Sequence, residues 1–272
     1  MKKLALGIVL LAACGPDSRR PPVDAGGDAT VTVDSDLGPP IDAVASITAV
    51  YAHTASQLYR VDPDTLNVVL VGDFSFTGPP DQITDLAIDR SGLMIGISFT
   101  AVYRIDPTTA ACTLLAEIVN ETLNGLSFVP ASDIGQTGPD ILVATRNATG
   151  AVSRIDPMTG AVSPLGNTMG FRSSGDLVSV AGFGTVLTAD NGVDPDKLVR
   201  LAPNTFTATP IGTTIGFADI WGVAYWGDKI FGFTEAGQFI TIDPQTGTGT
   251  LIQGNGPRWW GAAVNTLAPV IL

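Results

Sequence analysis

The sequence predicts an all-β fold: a five-bladed β-propeller of four-stranded blades, its ring closed by the C-terminal strand pairing with the N-terminal blade. Three observations predict it. One strand-turn motif recurs five times, its copies stand 41 to 50 residues apart, and the strands missing at the two chain ends complement one another. Repeats of this length built from short strands are the signature of propeller blades.

The chain begins with Met1-Lys2-Lys3 and the apolar run Leu4 to Ala13. Ten residues of helix cover about 15 Å, half of a bilayer's hydrocarbon core, so the run reads as a secretory signal rather than a span. Leu11-Ala12-Ala13-Cys14-Gly15 then resembles the lipobox of bacterial lipoproteins. The resemblance implies cleavage before Cys14, lipid attachment to its thiol and acylation of the new amino terminus. Several acyl chains exceed what stable membrane anchoring needs. Gly15 is not the Asp that marks inner-membrane retention in that family, so the resemblance points to the outer membrane.

Residues 14–45 read as the lipidated cysteine followed by an acidic linker. From Gly15 to Ala45 the chain has five Pro, four Gly, six Asp and two Arg, with almost no large apolar side chain. Such a segment cannot bury a core and behaves as a coil of roughly 30 Å reach. Its acidity holds it off an anionic surface.

The propeller is assigned to 46–272. Its motif reads Leu58-Tyr59-Arg60-Val61-Asp62-Pro63, Val102-Tyr103-Arg104-Ile105-Asp106-Pro107 and Val152-Ser153-Arg154-Ile155-Asp156-Pro157, then Leu198-Val199-Arg200-Leu201-Ala202-Pro203 and Phe239-Ile240-Thr241-Ile242-Asp243-Pro244. Alternating apolar and polar residues mark a half-buried strand. Asp accepts backbone hydrogen bonds, Pro presets φ, and Gly160 and Gly247 supply a left-handed residue, which together make a hairpin turn. A Thr follows each Pro by two positions: Thr65, Thr109, Thr159, Thr205 and Thr246. A ring of five acidic ligands is the weaker reading, because Ala202 replaces Asp in one copy.

Apolar strands flank each motif, such as Leu93 to Ser98 before and Cys112 to Ala116 after. The innermost strands are the small, apolar runs beginning Leu86, Gly125, Leu177, Gly222 and Gly261. The first motif lacks an innermost strand, and Gly261 to Val264 lacks a motif. Pairing the two yields five complete blades of about 45 residues and leaves no ring seam. A sixth blade would have to fit into Pro130 to Asp140, and eleven residues are too few. The pattern resembles bacterial propellers with a hydrophobic-Asp-Pro-x-Thr-Gly turn, loosely akin to YVTN and NHL repeats. That resemblance implies a fold and no particular function.

Composition narrows the function classes. A net charge of −12 and pI near 4.2 argue against nucleic acid. Cys14 and Cys112 are the only cysteines and His53 the only histidine, which argues against a disulfide framework, most histidine metal sites and a Ser-His-Asp triad. Loops joining second to third strands share a ring face with the loops between blades, opposite the Asp-Pro turns. This face collects His53, Thr100, Arg146, Asn147, Asp190 and Glu235 from within blades and Asp81, Asn124, Arg172, Asp176, Asp219, Trp221, Arg258, Trp259 and Trp260 from between them, and is the expected ligand face.

Several side chains there have two readings. Trp221 and Trp260, each before a glycine, form either a platform with Arg172 or Arg258 or packing between blades. Asp85, Asn124 and Asp176 are either oxygen ligands for a hard cation or solvated rim groups. Asp190, Asn191, Asp194 and Asp196 resemble a Ca²⁺ loop, although Pro195 and Lys197 favour a surface turn. The leading expectation is a monomeric, lipid-anchored envelope module that binds a protein or glycan, without catalysis and without a cofactor beyond that Ca²⁺ candidate. Its ligand residues are expected among Asp85, Asn124, Arg146, Arg172, Asp176, Trp221, Arg258 and Trp260. The alternatives are a glycan hydrolase or lyase using Asp85, Asp176 and Asp219 or Glu235, and a structural envelope protein with no small ligand.

Overall fold

The computed structural model describes residues 49–119, 121–190, 192 and 194–271. The signal segment, Cys14, the linker and Asn191 lie outside the described residues. Blade I contains β1 (Val50–His53), β2 (Gln57–Val61) and β3 (Val68–Asp73); the short β4 (Ser75–Phe76) follows. Blade II is β5 (Asp85–Ile88), β6 (Met94–Ile97), β7 (Ala101–Ile105) and β8 (Ala111–Glu117). Blade III is β9 (Asn124–Val129), β10 (Ile141–Arg146), β11 (Ala151–Ile155) and β12 (Val162–Asn167). Blade IV is β13 (Ser173–Val180), β14 (Gly184–Ala189), β15 (Lys197–Leu201) and β16 (Ala208–Ile211). Blade V is β17 (Ile220–Trp226), β18 (Lys229–Thr234), β19 (Phe239–Ile242) and β20 (Gly249–Gln253), and β21 (Gly261–Ala263) ends the series.

The ring closes as the missing strands require. β21 pairs antiparallel with β1, Ala52 facing Ala262 and His53 facing Gly261, so blade I has the order β21-β1-β2-β3. The innermost strands β5, β9, β13, β17 and β21 neighbour one another around the axis. The protein is a five-bladed β-propeller. One strand was not legible: β4 adds in parallel to the outer edge of β8, through Ser75 and Phe76 beside Ala111 and Cys112.

The four Asp-Pro turns share one hydrogen-bond plan, and Ala202-Pro203 makes the fifth turn without the carboxylate. Asp62, Asp106, Asp156 and Asp243 each accept the N–H groups two and three residues on. These bonds hold the four carboxyl groups below the usual aspartate range. Four of the motif threonines accept the N–H two residues later through the hydroxyl, which explains their recurrence. The next residue is left-handed in every copy: Leu66, Ala110, Gly160, Phe206 and Gly247. Glycine was expected there and appears in two. At Gly160 and Gly247 a Cβ would strike the backbone of the preceding blade, at Glu117 and Ile211.

Apolar side chains fill the seams. Leu86, Ile105, Tyr51 and Ala263 meet between blades I and II, Leu126, Leu142, Ile97 and Val102 between II and III, and Val143, Leu177 and Val199 between III and IV. Phe231, Phe233, Phe239 and Trp259 dominate the seam system of blades IV, V and I. Each fully buried side chain of this kind stabilises the fold by about 1.5–3 kcal/mol.

The segment after β21 crosses the lower face, the one carrying the Asp-Pro turns. Asn265 bridges to Ile88 and donates from its side chain to the Asp89 carbonyl at 2.7 Å. Thr266 donates its hydroxyl to Asp140 at 2.6 Å and accepts the Ala181 N–H at 2.8 Å. Pro269 and Ile271 bond to Gly227. This strap therefore touches blades II, III, IV and V. Burial would raise the Asp140 carboxyl, but Arg90 and Thr266 outweigh it and hold it low.

Closure depends on one absent side chain. A Cβ at Gly261 would collide with the Asp85 carboxylate and the His53 ring. Gly261→Ala is expected to destabilise the domain by about 1–3 kcal/mol through overpacking, measured by urea unfolding; unchanged stability would contradict a tight closure.

Candidate functional site

Aligned by structure, the innermost strands carry Asp85, Gly125, Asp176, Gly222 and Gly261 at one level of the axis. The residues that follow are Leu86, Leu126, Leu177, Val223 and Ala262. Their five N–H groups point at the axis, and two carboxyl groups accept all of them. Asp85 takes Leu86 at 2.8 Å and Leu126 at 2.5 Å. Asp176 takes Leu177 and Val223, both at 2.6 Å, and also Ala262. Both aspartates are fully buried. The two carboxyl groups lie close enough to influence each other's ionisation. Burial raises both pKa values well above the ordinary range, and for Asp85 the neighbouring Asp176 charge adds to this.

His53 completes this layer. It is the last residue of β1, fully buried rather than on a loop, with Nε2 3.8 Å from Asp85 Oδ1 and Nδ1 2.8 Å from the Thr54 carbonyl. Burial lowers its pKa to about 4, so the ring is neutral near pH 7. The expectation of Asp85 and Asp176 as rim or funnel ligands is corrected: they are a structural layer sealed from solvent. With their oxygens taken by peptide N–H groups, they are not placed to meet a substrate.

Above this layer lies a well of about 210 Å³, opening on the upper face. Thr84, Asn124, Ser174, Trp221 and Trp260 line it, one from the innermost chain segment of each blade, with Phe99, Asn147 and Arg258 from the loops. Bulges shape it. Register shifts at Asn124–Leu126, within Ser173–Leu177 and at Ile220–Gly222 break the inner ladders of blades III, IV and V at this height. A bulge re-aims side chains, and here it accompanies the turn of Asn124, Ser174 and Trp221 into the well.

The two indoles meet edge to face, with centroids 6.4 Å apart and planes at 84°. The Arg258 guanidinium stands 5.3 Å from the Trp221 centroid and pairs with Glu235. Trp221 and Trp260 are half-buried, so the platform reading describes them better than packing between blades. Trp259, expected on the rim, is instead 2% exposed and takes the packing role between blades.

Four expected ligand residues thus converge on the well: Asn124, Trp221, Arg258 and Trp260. Arg146 sits just outside it, paired with Glu121. Arg172 is exposed on the rim near Asp190, whose N–H bonds to its carbonyl. Thr84, Phe99 and Ser174 were missed. Aligning the residue before each axial Asp or Gly would have found Thr84, whereas Phe99 and Ser174 depend on loop and bulge geometry.

Of the Ca²⁺ candidate, Asn191 lies outside the described residues and Asp196 points away from the loop. Asp196 is buried and turned inward, with Oδ2 accepting the Ile220 N–H at 2.9 Å. Among the described residues no group of three or more His, Cys, Asp or Glu side chains is placed to hold a metal ion. Asp219 is raised by burial and by Glu235, Asp194 and Asp190, which makes that part of the rim acidic.

No protein-family model matches this chain, and no curated protein matches it in sequence. Solved structures are similar to it over much of its length, and one superposes with a TM-score above 0.5. A chain of the crystal structure of a nidogen/laminin complex superposes with a TM-score of 0.54 at 11% identity, over 79% of this chain and 97% of that one. A putative TolB from Agrobacterium tumefaciens gives 0.46 at 13% identity, over 75% and 76%. The computationally designed Ika8 protein gives 0.35 at 16% identity, over 78% and 60%. At such identities the likeness concerns the fold alone.

Two predictions follow from the axial layer and its neighbours. Asp176→Ala strands three buried N–H groups at about 1–3 kcal/mol each, so a loss of several kcal/mol is expected in urea unfolding. The second concerns pH. Asp196 is raised to about 6 by burial, whereas an unfolded aspartate ionises near 3.9 and an unfolded histidine near 6.5. The folded chain holds the Asp196 proton where the unfolded chain releases it, so this group's stabilisation is lost as pH rises from about 4 to 6. His53, depressed to about 4, acts in the opposite sense and adds stability as pH rises from about 4 to 6.5. Asp196→Asn should therefore make stability climb more steeply across pH 4–6; an unchanged slope would refute the assignment.

Proposed function

We propose that this protein is a non-catalytic binding module whose ligand face is the upper face of the propeller. The observation that carries this reading is the axial well with its two half-buried tryptophans, set above carboxyl groups that are sequestered. A hydrolase of the retaining or inverting kind needs two carboxyl groups flanking the scissile bond. The buried pair is committed to backbone N–H groups instead. The strap crosses the axis on the lower face, so the axial well opens on the upper face. Asp219 and Glu235 remain at the rim, and Glu235 is paired with Arg258.

The lipobox-like segment supports placement at the cell envelope, tethered through Cys14 by the acidic linker. In that setting the module captures a partner or glycan near the membrane without releasing a product.

Two measurements test this. Incubated with envelope glycans and extracts, the full-length protein should retain a defined ligand without turnover, and Trp221→Ala or Trp260→Ala should abolish retention. Turnover of a sugar or ester without stable binding would overturn the reading. Separately, Cys14→Ser should move the protein from the membrane fraction to the soluble fraction, and unchanged membrane retention would overturn the anchor.

A further inference from the structure

We infer that the axial well is a subsite for one terminal, uncharged sugar residue. This rests on the upper face being the ligand face and adds the chemistry of what enters it.

The well offers hydrogen bonding without spare charge. The side-chain amide oxygens of Asn124 and Asn147 are buried with no hydrogen-bond partner among the described residues, and the indoles of Trp221 and Trp260 line the same well. Both guanidinium groups nearest the well are already paired, Arg258 with Glu235 and Arg146 with Glu121. Among the described residues an anion therefore meets guanidinium groups already paired with carboxylates, and the Asp219 carboxylate at the rim repels it. An ammonium group finds the Trp221 ring already beside the Arg258 guanidinium. What remains is indole surface next to two amides whose buried oxygens have no partner among the described residues. A ring with apolar C–H faces and a belt of hydroxyl groups matches that set, since hydroxyls both donate and accept and tryptophan joins an apolar body to a polar N–H.

Size and depth define the rest. About 210 Å³ is below the roughly 300–1,000 Å³ that drug-sized ligands occupy, so the space suits a single ring. The well is blind, because the buried Asp85–Asp176 layer forms the level beneath it and the strap covers the lower face. A chain can enter only by its end, which selects a terminal residue over an internal one.

The test titrates the full-length protein with methyl glycosides of glucose, galactose, mannose and N-acetylglucosamine, with glucuronate and glucosamine as charged comparators. Tryptophan fluorescence and calorimetry report binding. At least one neutral glycoside should saturate, with about tenfold or greater weakening in Trp260→Ala and in Asn124→Ala, each variant keeping the parent melting temperature within a few degrees. Should Trp260→Ala fail to fold, Asn124→Ala and Asn147→Ala carry the same comparison. Absence of saturation by every neutral glycoside, or tighter binding of a charged comparator, overturns the inference. If that happens while a defined protein partner still binds and is lost in Trp260→Ala, the sugar inference fails and the binding-face reading survives. If no ligand of either kind depends on these residues, both fail.

Discussion

Five strands meeting at an axis create a hydrogen-bond problem that two aspartates solve. Each innermost strand turns an N–H toward its neighbours at a level too tight for water, and a buried unpaired N–H costs about 1–3 kcal/mol. Carboxyl groups on every strand would crowd the axis with charge. Asp85 and Asp176 alternate with Gly125, Gly222 and Gly261, so four carboxyl oxygens reach five N–H groups. The glycines are needed for the same reason as the acids. A side chain at Gly261 would occupy the space of the Asp85 carboxylate, and one at Gly222 would strike the backbone of Gly261. Burial raises the pKa of both carboxyl groups, so the layer disfavours two full charges at the axis.

The remaining architecture locks this layer in place. β21 brings Gly261 and Ala262 from the far end of the chain to complete the ring, and the strap beyond it bonds to four other blades. A sheet pairing made by residues two hundred positions apart cannot form until the ring is nearly assembled. Closure joins the two ends of the chain in one blade, and the strap covers the axis on the lower face while the axial well opens on the upper one.

That asymmetry decides where ligands can go. Bulges in three innermost strands interrupt regular pairing just above the aspartate layer and accompany Asn124, Ser174 and Trp221 turning inward. The result is an aromatic well with neutral polar groups, backed by carboxyl groups that are present for structure. Acidic residues near an axis suggest chemistry only while their exposure is unknown; once their oxygens are assigned to peptide N–H groups, binding is the better-supported role.

Much of this was legible in one dimension. Blade number, strand order, the closing pair and the turn chemistry follow from periodicity, because each blade repeats the same local solution of alternating strand, Asp cap and Pro. Four residues of the axial well followed from knowing which loops share a side of the ring. Three matters were decided only by tertiary structure. Asp85 and Asp176 read as rim ligands because the sequence does not show that their neighbours across the axis are bare N–H groups. Asp196 read as part of a Ca²⁺ loop because its inward turn toward Ile220 depends on the next blade. The strap after β21 has no repeat signature, since its bonds are made to four different blades. Local sequence determines what repeats within a blade; only the assembled ring determines what the blades do to one another at the axis, where spacing is set by all five at once.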